Sequence, residues 1–437
     1  MRKQPHIHLT SSRPWAPRDA LAPHVRRDGN AFVVASNGSP GCYGGWELVY
    51  PAVRAGAWVN LQVQARWQNI ERSYDSVNVA GVWLDKKENM VGWEPIFPQP
   101  GLSNGYVVYQ GRMRVPANAS ILVFKLLMAY SSRGEIRWTS PEVRPMAAPK
   151  PRMVRLGAAG GLPPGSTYTV ESNTKFYLGL CRQAADKGVD LLCLPEVILH
   201  TGMPTTAETL PKLAIPVPGK EIRPFQKFAR ANRMALCFSV WEKDKKLIYN
   251  TALLIDKEGE LVGRYRKVHL AQPFEVWYGV TPGHEFSVCD LGWAKVGMNI
   301  CMDSSAAESA RIPARLGAEI ICLPIMGDHR AMTSFFETTH DFCVERWVMI
   351  QRMRAMDNHV YMVVARNSGL GTGIFGPRGD TLGLSGGCKQ VVHTQVDLED
   401  VPLDFLGATF RGVCWYERRE PAYGPLVKAL LNDPFAK

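Results

Sequence analysis

From about residue 30 to 145, hydrophobic and polar positions alternate with a period of two. Val59, Leu61, Val63, Ala65 and Trp67 interleave with Asn60, Gln62, Gln64 and Arg66. Val77, Val79, Gly81 and Trp83 follow, and then Val107, Tyr109, Met113 and Val115 opposite Gln110, Arg112 and Arg114. Alternation sends successive side chains to opposite faces, so each run predicts a half-buried strand. "SILVFKLLMAY" and "GEIRWTSPEV" read as closing strands. Short strands broken by Gly, Pro, Asn and Ser predict an all-β, antiparallel, jelly-roll-like sandwich over residues 1–148. "PMAAPKPR" (145–152) then reads as a linker into a second domain, 149–437.

The grammar changes there. In "SNTKFYLGLCRQAADKGVD", Phe176, Leu180 and Ala184 recur at i, i+4 and i+8, which predicts a helix stopped by Gly188. "LLCLPE" follows as a buried strand, "EIRPFQKFARANRM" as a helix, and "ALCFSVWEK", "IYNTALLID" and "ELVGRYRKV" as strands. Beyond them the pattern predicts a strand ending at "VGMNI", a helix over 304–317 and a strand over 319–325. A long helix over 333–358, the strand "VYMVVARNS" and the hairpin "TGIFGPRGDTLG" complete it. Helices alternating with buried strands predict an α/β layered domain. No internal repeat is visible, and "GAAGG" (157–161) lacks the glycines of a phosphate loop.

Composition narrows the class. The chain is 46% hydrophobic and 21% charged, which is globular and not disordered. The basic N-terminus carries no apolar signal-peptide core, and no run approaches the ~18 apolar residues of a membrane span. A cytoplasmic protein that does not cross a membrane is expected. The ten cysteines form no CxxC pair, so reduced, buried thiols are expected. HExxH is absent and His6 with His8 stands isolated, so neither a metal nor a cofactor is expected. Residues 1–150 hold 18 Lys+Arg against 10 Asp+Glu, and seven of the 12 tryptophans. That basic, aromatic sandwich resembles carbohydrate-binding jelly rolls in overall pattern. Trp46, Trp58, Trp67, Trp83 and Trp93 are candidate sugar platforms, although Trp67 and Trp83 lie on the inward-facing series. Glycan or polyanion binding is one expectation for this domain, and a structural or assembly role is the other.

Three positions at strand ends carry the candidate chemistry. Glu196 closes "LLCLPE", Lys267 closes the strand in "GRYRKVHL", and Cys301 stands where "VGMNI" gives way to a helix. The C-terminal ends of strands are where α/β sheets place their sites. A helix N-terminus and a lysine both favour thiolate over thiol, and only the thiolate is a strong nucleophile. Glu196 is a candidate proton acceptor, and Lys267 with the Met302 N–H are candidate oxyanion donors. No histidine has an obvious place beside Cys301, which disfavours a Cys/His pair.

"LLCLPE", "YRKVHL" and "GMNICMD…ES-ARIPARLGAEIICLP" resemble, in order, the three signature segments of the nitrilase (carbon–nitrogen hydrolase) superfamily. The phrases "YNTALLID-EGELVGRYRK", "RAMDNHVYMVVARNSG" and "GPRGDTLG" fit as well, so the resemblance spans about 152–425. It implies a four-layer αββα sandwich, a Glu196–Lys267–Cys301 triad, and assembly into homodimers or larger homo-oligomers. It also implies a further glutamate, Glu275, that orients substrate and stabilises the triad. Met302-Asp303 replaces the Trp-Glu that usually follows the cysteine of nitrile-cleaving members. That departure favours amidase or carbamoylase chemistry, cleavage of a small-molecule amide or N-carbamoyl C–N bond through a cysteine thioester acyl-enzyme. Met302, Asp303, Trp277, Tyr278 and Met326 are the expected pocket wall; His329 and Arg330 are read as a loop, with a substrate carboxylate as the sharper alternative. A non-catalytic scaffold on the same fold, or acyl transfer from the same thioester, are the rival readings.

Overall fold

The computed structural model describes residues 7–51, 54–327, 329–331, 342–387 and 390–426. The chain divides into two compact units, Met1–Pro149 together with Pro402–Lys437, and Lys150–Val401. The second domain read from the sequence ran to 437, whereas the chain from Pro402 belongs with the first unit.

In the first unit, every strand pairing is antiparallel. One sheet runs Ser11–Trp15, Tyr43–Pro51, Ile121–Ala129, Val77–Leu84, Met90–Ile96. The other runs Glu142–Met146, Trp58–Gln68, Glu135–Trp138, Ala31–Ala35, His24–Asp28, with Val107–Arg114 also on Trp58–Gln68. The period-two pattern explains the core: Val59, Leu61, Val63 and Ala65 are buried with Trp83, Leu122, Phe124 and Trp138. Burial of this kind contributes roughly 25 cal/mol per Å² of apolar surface.

The expected tryptophan platforms do not stand free. Trp46 and Trp83 are core residues, 6% and 1% exposed, and Trp46 Nε1 donates to the Val33 carbonyl at 3.1 Å. Trp67 packs partly buried against the same core. Trp93 Nε1 donates to Asp404 Oδ2 at 3.2 Å, joining the late segment to the sheet. Glu94 completes that junction, accepting from Thr409 N and Thr409 Oγ1 at 2.7 Å each. Thr409 Oγ1 in turn accepts from Gly412 N at 3.0 Å and so caps the helix Phe410–Tyr416.

The second unit is the four-layer αββα sandwich. Its first sheet runs Leu261–Arg266, Leu247–Ile255, Ala235–Asp244, Leu191–Cys193, Met153–Gly160, Gln390–Asp397. Its second runs Val288–Asp290, Lys295–Met298, Ile320–Ile325, Tyr361–Arg366, Gly373–Phe375, Thr381–Leu384. Helices Val170–Asp186 and Arg223–Asn232 cover the first sheet through Tyr177, Leu180, Phe225 and Ala229. The Thr169 side chain caps the first of these from Ser172 N. Between the sheets, the Sγ atoms of Cys193, Cys237 and Cys322 lie within 4.8 Å of one another. All three are fully buried and pack as small hydrophobes.

Two expected helices differ in detail. The one predicted over 304–317 is a 3₁₀ turn, Cys301–Ser305, followed by the helix Ala307–Arg315. The one predicted over 333–358 is observed as Val344–Asn358, and its earlier part lies outside the described residues, as do His6 and Cys388. No described helix is long and apolar enough to cross a membrane.

Burial pushes the Glu94 carboxyl up to about 7, against the Thr409 hydrogen bonds and with help from Asp404. An unfolded glutamate titrates near 4.3. The folded state therefore keeps its proton to higher pH, and Glu94's contribution is full below about pH 4 and lost as pH rises through 7. Glu94→Gln should remove that loss, so the variant's melting temperature should gain on the parent's between about pH 5 and 8. A difference that stays flat across that window would show that Glu94 is ionised without cost.

Candidate active site

Each candidate side chain leaves the end of a strand. Leu191–Cys193 ends at Leu194-Pro195, and Glu196 follows. Val197 then takes a left-handed backbone, φ 45°, held by its N–H donating to Ser239 Oγ at 2.8 Å. Leu261–Arg266 delivers Lys267 at its end. Cys301, φ 44°, opens the 3₁₀ turn after Lys295–Met298. Positive φ at a non-glycine residue costs on the order of 1–3 kcal/mol and persists only where the surroundings enforce it.

These residues converge on a buried ion cluster. Lys267 Nζ donates to Glu196 Oε1 at 3.0 Å and to Glu275 Oε2 at 2.6 Å. Asn250 Nδ2 donates to both carboxylates, Glu196 Oε1 and Glu275 Oε1, at 2.8 Å each. Backbone N–H groups complete the set: Met326 N donates to Glu196 Oε2 at 3.0 Å, and Ala271 N shares Glu275 Oε2 with Lys267 at 2.7 Å. Lys267, Glu196, Glu275 and Cys301 are 1%, 3%, 6% and 7% exposed. Burial alone would lower the Lys267 ammonium, but the negative charge of Glu196 and Glu275 outweighs it and holds the group well above its ordinary value.

Cys301 departs from the expectation of a ready thiolate. Burial first, then Glu196 and Glu275, push the thiol above its usual range, and Lys267 only partly opposes them. The lysine is already committed to two carboxylates, so little of its field is left for sulfur. At rest Cys301 is a thiol whose Sγ donates to the Gly327 carbonyl at 3.6 Å.

The expected pocket wall divides. Met326 and Trp277 are exposed, at 51% and 74%, and Met302 is half-buried. Tyr278 packs partly buried against the cluster of Val197, Leu210 and Trp241. Asp303 is the correction. It is fully buried and accepts from Tyr265 Oη at 2.7 Å, Ile300 N at 2.8 Å and His269 N at 3.1 Å, with His269 Nδ1 at 2.8 Å. It ties the lysine loop to the cysteine turn and offers nothing to a pocket. Arg330 is also engaged, donating to the Ser304 carbonyl at 2.6 Å. Among the described residues, the one group of Cys, His, Asp and Glu close enough to share a metal ion is the inter-sheet cysteine trio, which includes none of these carboxylates.

The carbon-nitrogen hydrolase family model matches residues 156–403. The chain belongs to that family. It is 29% identical to the omega-amidase NIT2 of Homo sapiens over 235 residues, 50% of this chain and 80% of that one. It is 30% identical to nitrilase homolog 2 of Dictyostelium discoideum over 210 residues, 45% and 60% of the two chains. The carbon-nitrogen hydrolase from Helicobacter pylori G27 shares the fold at TM-score 0.52 and 21% identity, covering 64% of this chain and 99% of that one. An amidase from Nesterenkonia sp. AN1, a mutant in complex with acrylamide, does so at TM-score 0.51 and 18% identity, covering 64% and 100%. The protein is thus a carbon-nitrogen hydrolase by family and by fold.

Asn250, Tyr265 and His269 were missed by reading the sequence, although "YNTALL" and "YRKVHL" contain them. The hydrogen bond to Asp303 raises the His269 imidazole above its usual value. Removing Asp303 leaves the Ile300 N–H, the Tyr265 hydroxyl and the His269 N–H unpaired, at about 1–3 kcal/mol apiece. Asp303→Ala should therefore lower the denaturant midpoint substantially and depress turnover together with it. Iodoacetamide labelling of Cys301, followed by peptide mass spectrometry, should keep rising with pH beyond the ordinary thiol range. A labelling rate already at its plateau by pH 7 would contradict the resting thiol.

Proposed function

We propose that Cys301 is the nucleophile, Glu196 the general acid–base, and Lys267 with the Met302 N–H the oxyanion donors, acting on a small-molecule amide or N-carbamoyl compound. The observation that carries this is the buried Lys267, bonded to both Glu196 and Glu275, with Cys301 close enough for all three charges to act on its thiol. The thiol proton passes to Glu196 as Sγ attacks the carbonyl carbon, so no free thiolate need accumulate. The oxyanion draws on Lys267. Glu196 returns the proton to the departing nitrogen, and ammonia or an amine leaves a thioester on Cys301. A water molecule, losing its proton to Glu196, adds to the thioester carbonyl, and collapse releases the acid and restores the thiol. Glu275 holds Lys267 in place throughout. No cofactor enters the scheme.

Self-association fits the exposed apolar side chains of Ile312, Leu316, Met349, Met353 and Met356, all on or beside the helices Ala307–Arg315 and Val344–Asn358. The described cysteines are all free, which fits a reducing, cytoplasmic setting.

Ammonia release should be measured across simple amides, N-carbamoyl compounds and nitriles. At least one amide or carbamoyl compound should be turned over, and Cys301→Ala should abolish this. Lys267→Ala should cost nearly as much, since a lost oxyanion donor is worth about 3–4 kcal/mol. Glu196→Gln should cost about 10²–10⁴-fold. A Lys267→Ala enzyme with near-normal turnover would sink the assignment, and product carrying an added amine acceptor in place of water would redirect it to acyl transfer.

A further inference from the structure

The first unit contains a cavity of about 410 Å³, within the range of roughly 300–1,000 Å³ common for small-molecule sites. Its wall joins distant parts of the chain: the strand ends at Tyr43 and Tyr130, the turn at Tyr74, and the segment from Trp415 to Arg419.

The aromatic part of the wall is turned outward. Tyr74 and Tyr130 are 40% and 42% exposed. The Tyr43 and Tyr130 rings lie 5.7 Å apart with 34° between their planes, forming a shallow stepped surface. Contacts within the wall fix their orientation: Arg419 sits 4.4 Å over one face of the Tyr130 ring, and Tyr74 Oη donates to the Trp415 carbonyl at 3.3 Å. Tyr43 and Tyr416 share a hydroxyl hydrogen bond.

The polar part of the wall balances in charge. Arg418 and Arg419 are matched by Asp75 and Glu417, so the lining sums to zero despite the excess of Lys and Arg in this part of the chain. Asp75 is itself paired with Arg72 at 3.2 Å. Carboxylates only accept hydrogen bonds, guanidinium groups only donate, and the Asn78 amide does both. A ligand matched to this wall has a weakly polar ring face for the tyrosines and an edge that both donates and accepts. It carries no net charge. Polyanions fail the last condition, and flat apolar molecules fail the second.

We infer that this cavity is a binding site for a neutral saccharide. The C–H face of a pyranose ring lies on Tyr130 and Tyr43, and its hydroxyls reach Asp75, Asn78 and the 417–419 segment. The site is separate from the amide-cleaving reading and does not rest on it. A fragment ending near residue 150 lacks the wall from Trp415 to Arg419, so only the full chain presents it.

The test is isothermal titration of the full chain with four neutral oligosaccharides, maltohexaose, cellohexaose, xylohexaose and chitohexaose, and with heparin as the anionic comparison. At least one neutral oligosaccharide should bind with a Kd of about 1 mM or tighter. Tyr130→Ala and Tyr74→Ala, both at exposed positions, should each weaken it by about tenfold while leaving ammonia release unchanged and the chain folded by circular dichroism. Absence of binding to all four at about 10 mM, binding of heparin alone, or affinity unaltered in both variants would each overturn the assignment.

Discussion

The second unit is organised around the need to neutralise one ammonium group. Lys267 is 1% exposed, and an unpaired charge at that depth would cost several kcal/mol. Its two carboxylates come from separate elements, Glu196 after the strand Leu191–Cys193 and Glu275 in the short helix Phe274–Trp277. Those carboxylates are themselves buried and need donors, which Asn250, Ala271 N and Met326 N provide. Satisfying one cation therefore fixes five segments of chain. Among them is the segment from the second sheet that holds Met326, beside the Gly327 carbonyl contacted by Cys301.

Two strained residues mark where this convergence is enforced. Val197 and Cys301 both adopt positive φ immediately at the ends of strands. Neither is glycine, so the strain must be balanced nearby. Around Val197 the restraint is polar: Ser239 takes its N–H, and Asn367 Nδ2 donates to the Glu196 carbonyl at 2.9 Å. Around Cys301 it is Asp303, which holds Ile300 N from one side and the residues flanking Lys267 from the other. Lys267 and Cys301 are thus aligned by buried polar groups drawn from other segments of the chain.

What was legible in the sequence follows from the range of the interactions. Strands with period two, and strand ends followed by Glu196, Lys267 and Cys301, are local patterns, and they were readable as such. Asp303 was misread because its position beside Cys301 suggests a pocket, while its four bonds go to Tyr265, His269 and Ile300, two of them more than 30 residues away. Asn250 was invisible for the same reason, a polar residue within an apolar strand whose partners lie 54 and 25 residues off. The segment after Pro402 carries no strong period, and its attachment to the sandwich runs through scattered single contacts, among them Trp93, Glu94, Tyr74 and Tyr130, that leave no repeat to detect.

The protonation state of Cys301 shows why counting charged neighbours is insufficient. A lysine and a helical turn beside a cysteine ordinarily stabilise the thiolate. Here the same lysine faces two carboxylates, and the sulfur is nearly excluded from water, so desolvation and Glu196 dominate. A stable thiolate would also add a second excess negative charge to an already anion-rich, dry site, where like charges interact strongly. The thiol form avoids that cost at rest. In the reaction proposed above, once substrate carbon accepts the sulfur electrons, the charge moves outward to an oxygen and the proton moves to Glu196, so the cluster's own charge falls as the oxyanion forms. Lys267, whose field the carboxylates had largely absorbed, then has more of it available where the new charge appears. On that proposal, the arrangement that raises the Cys301 pKa is also the one that favours the transition state over the resting enzyme.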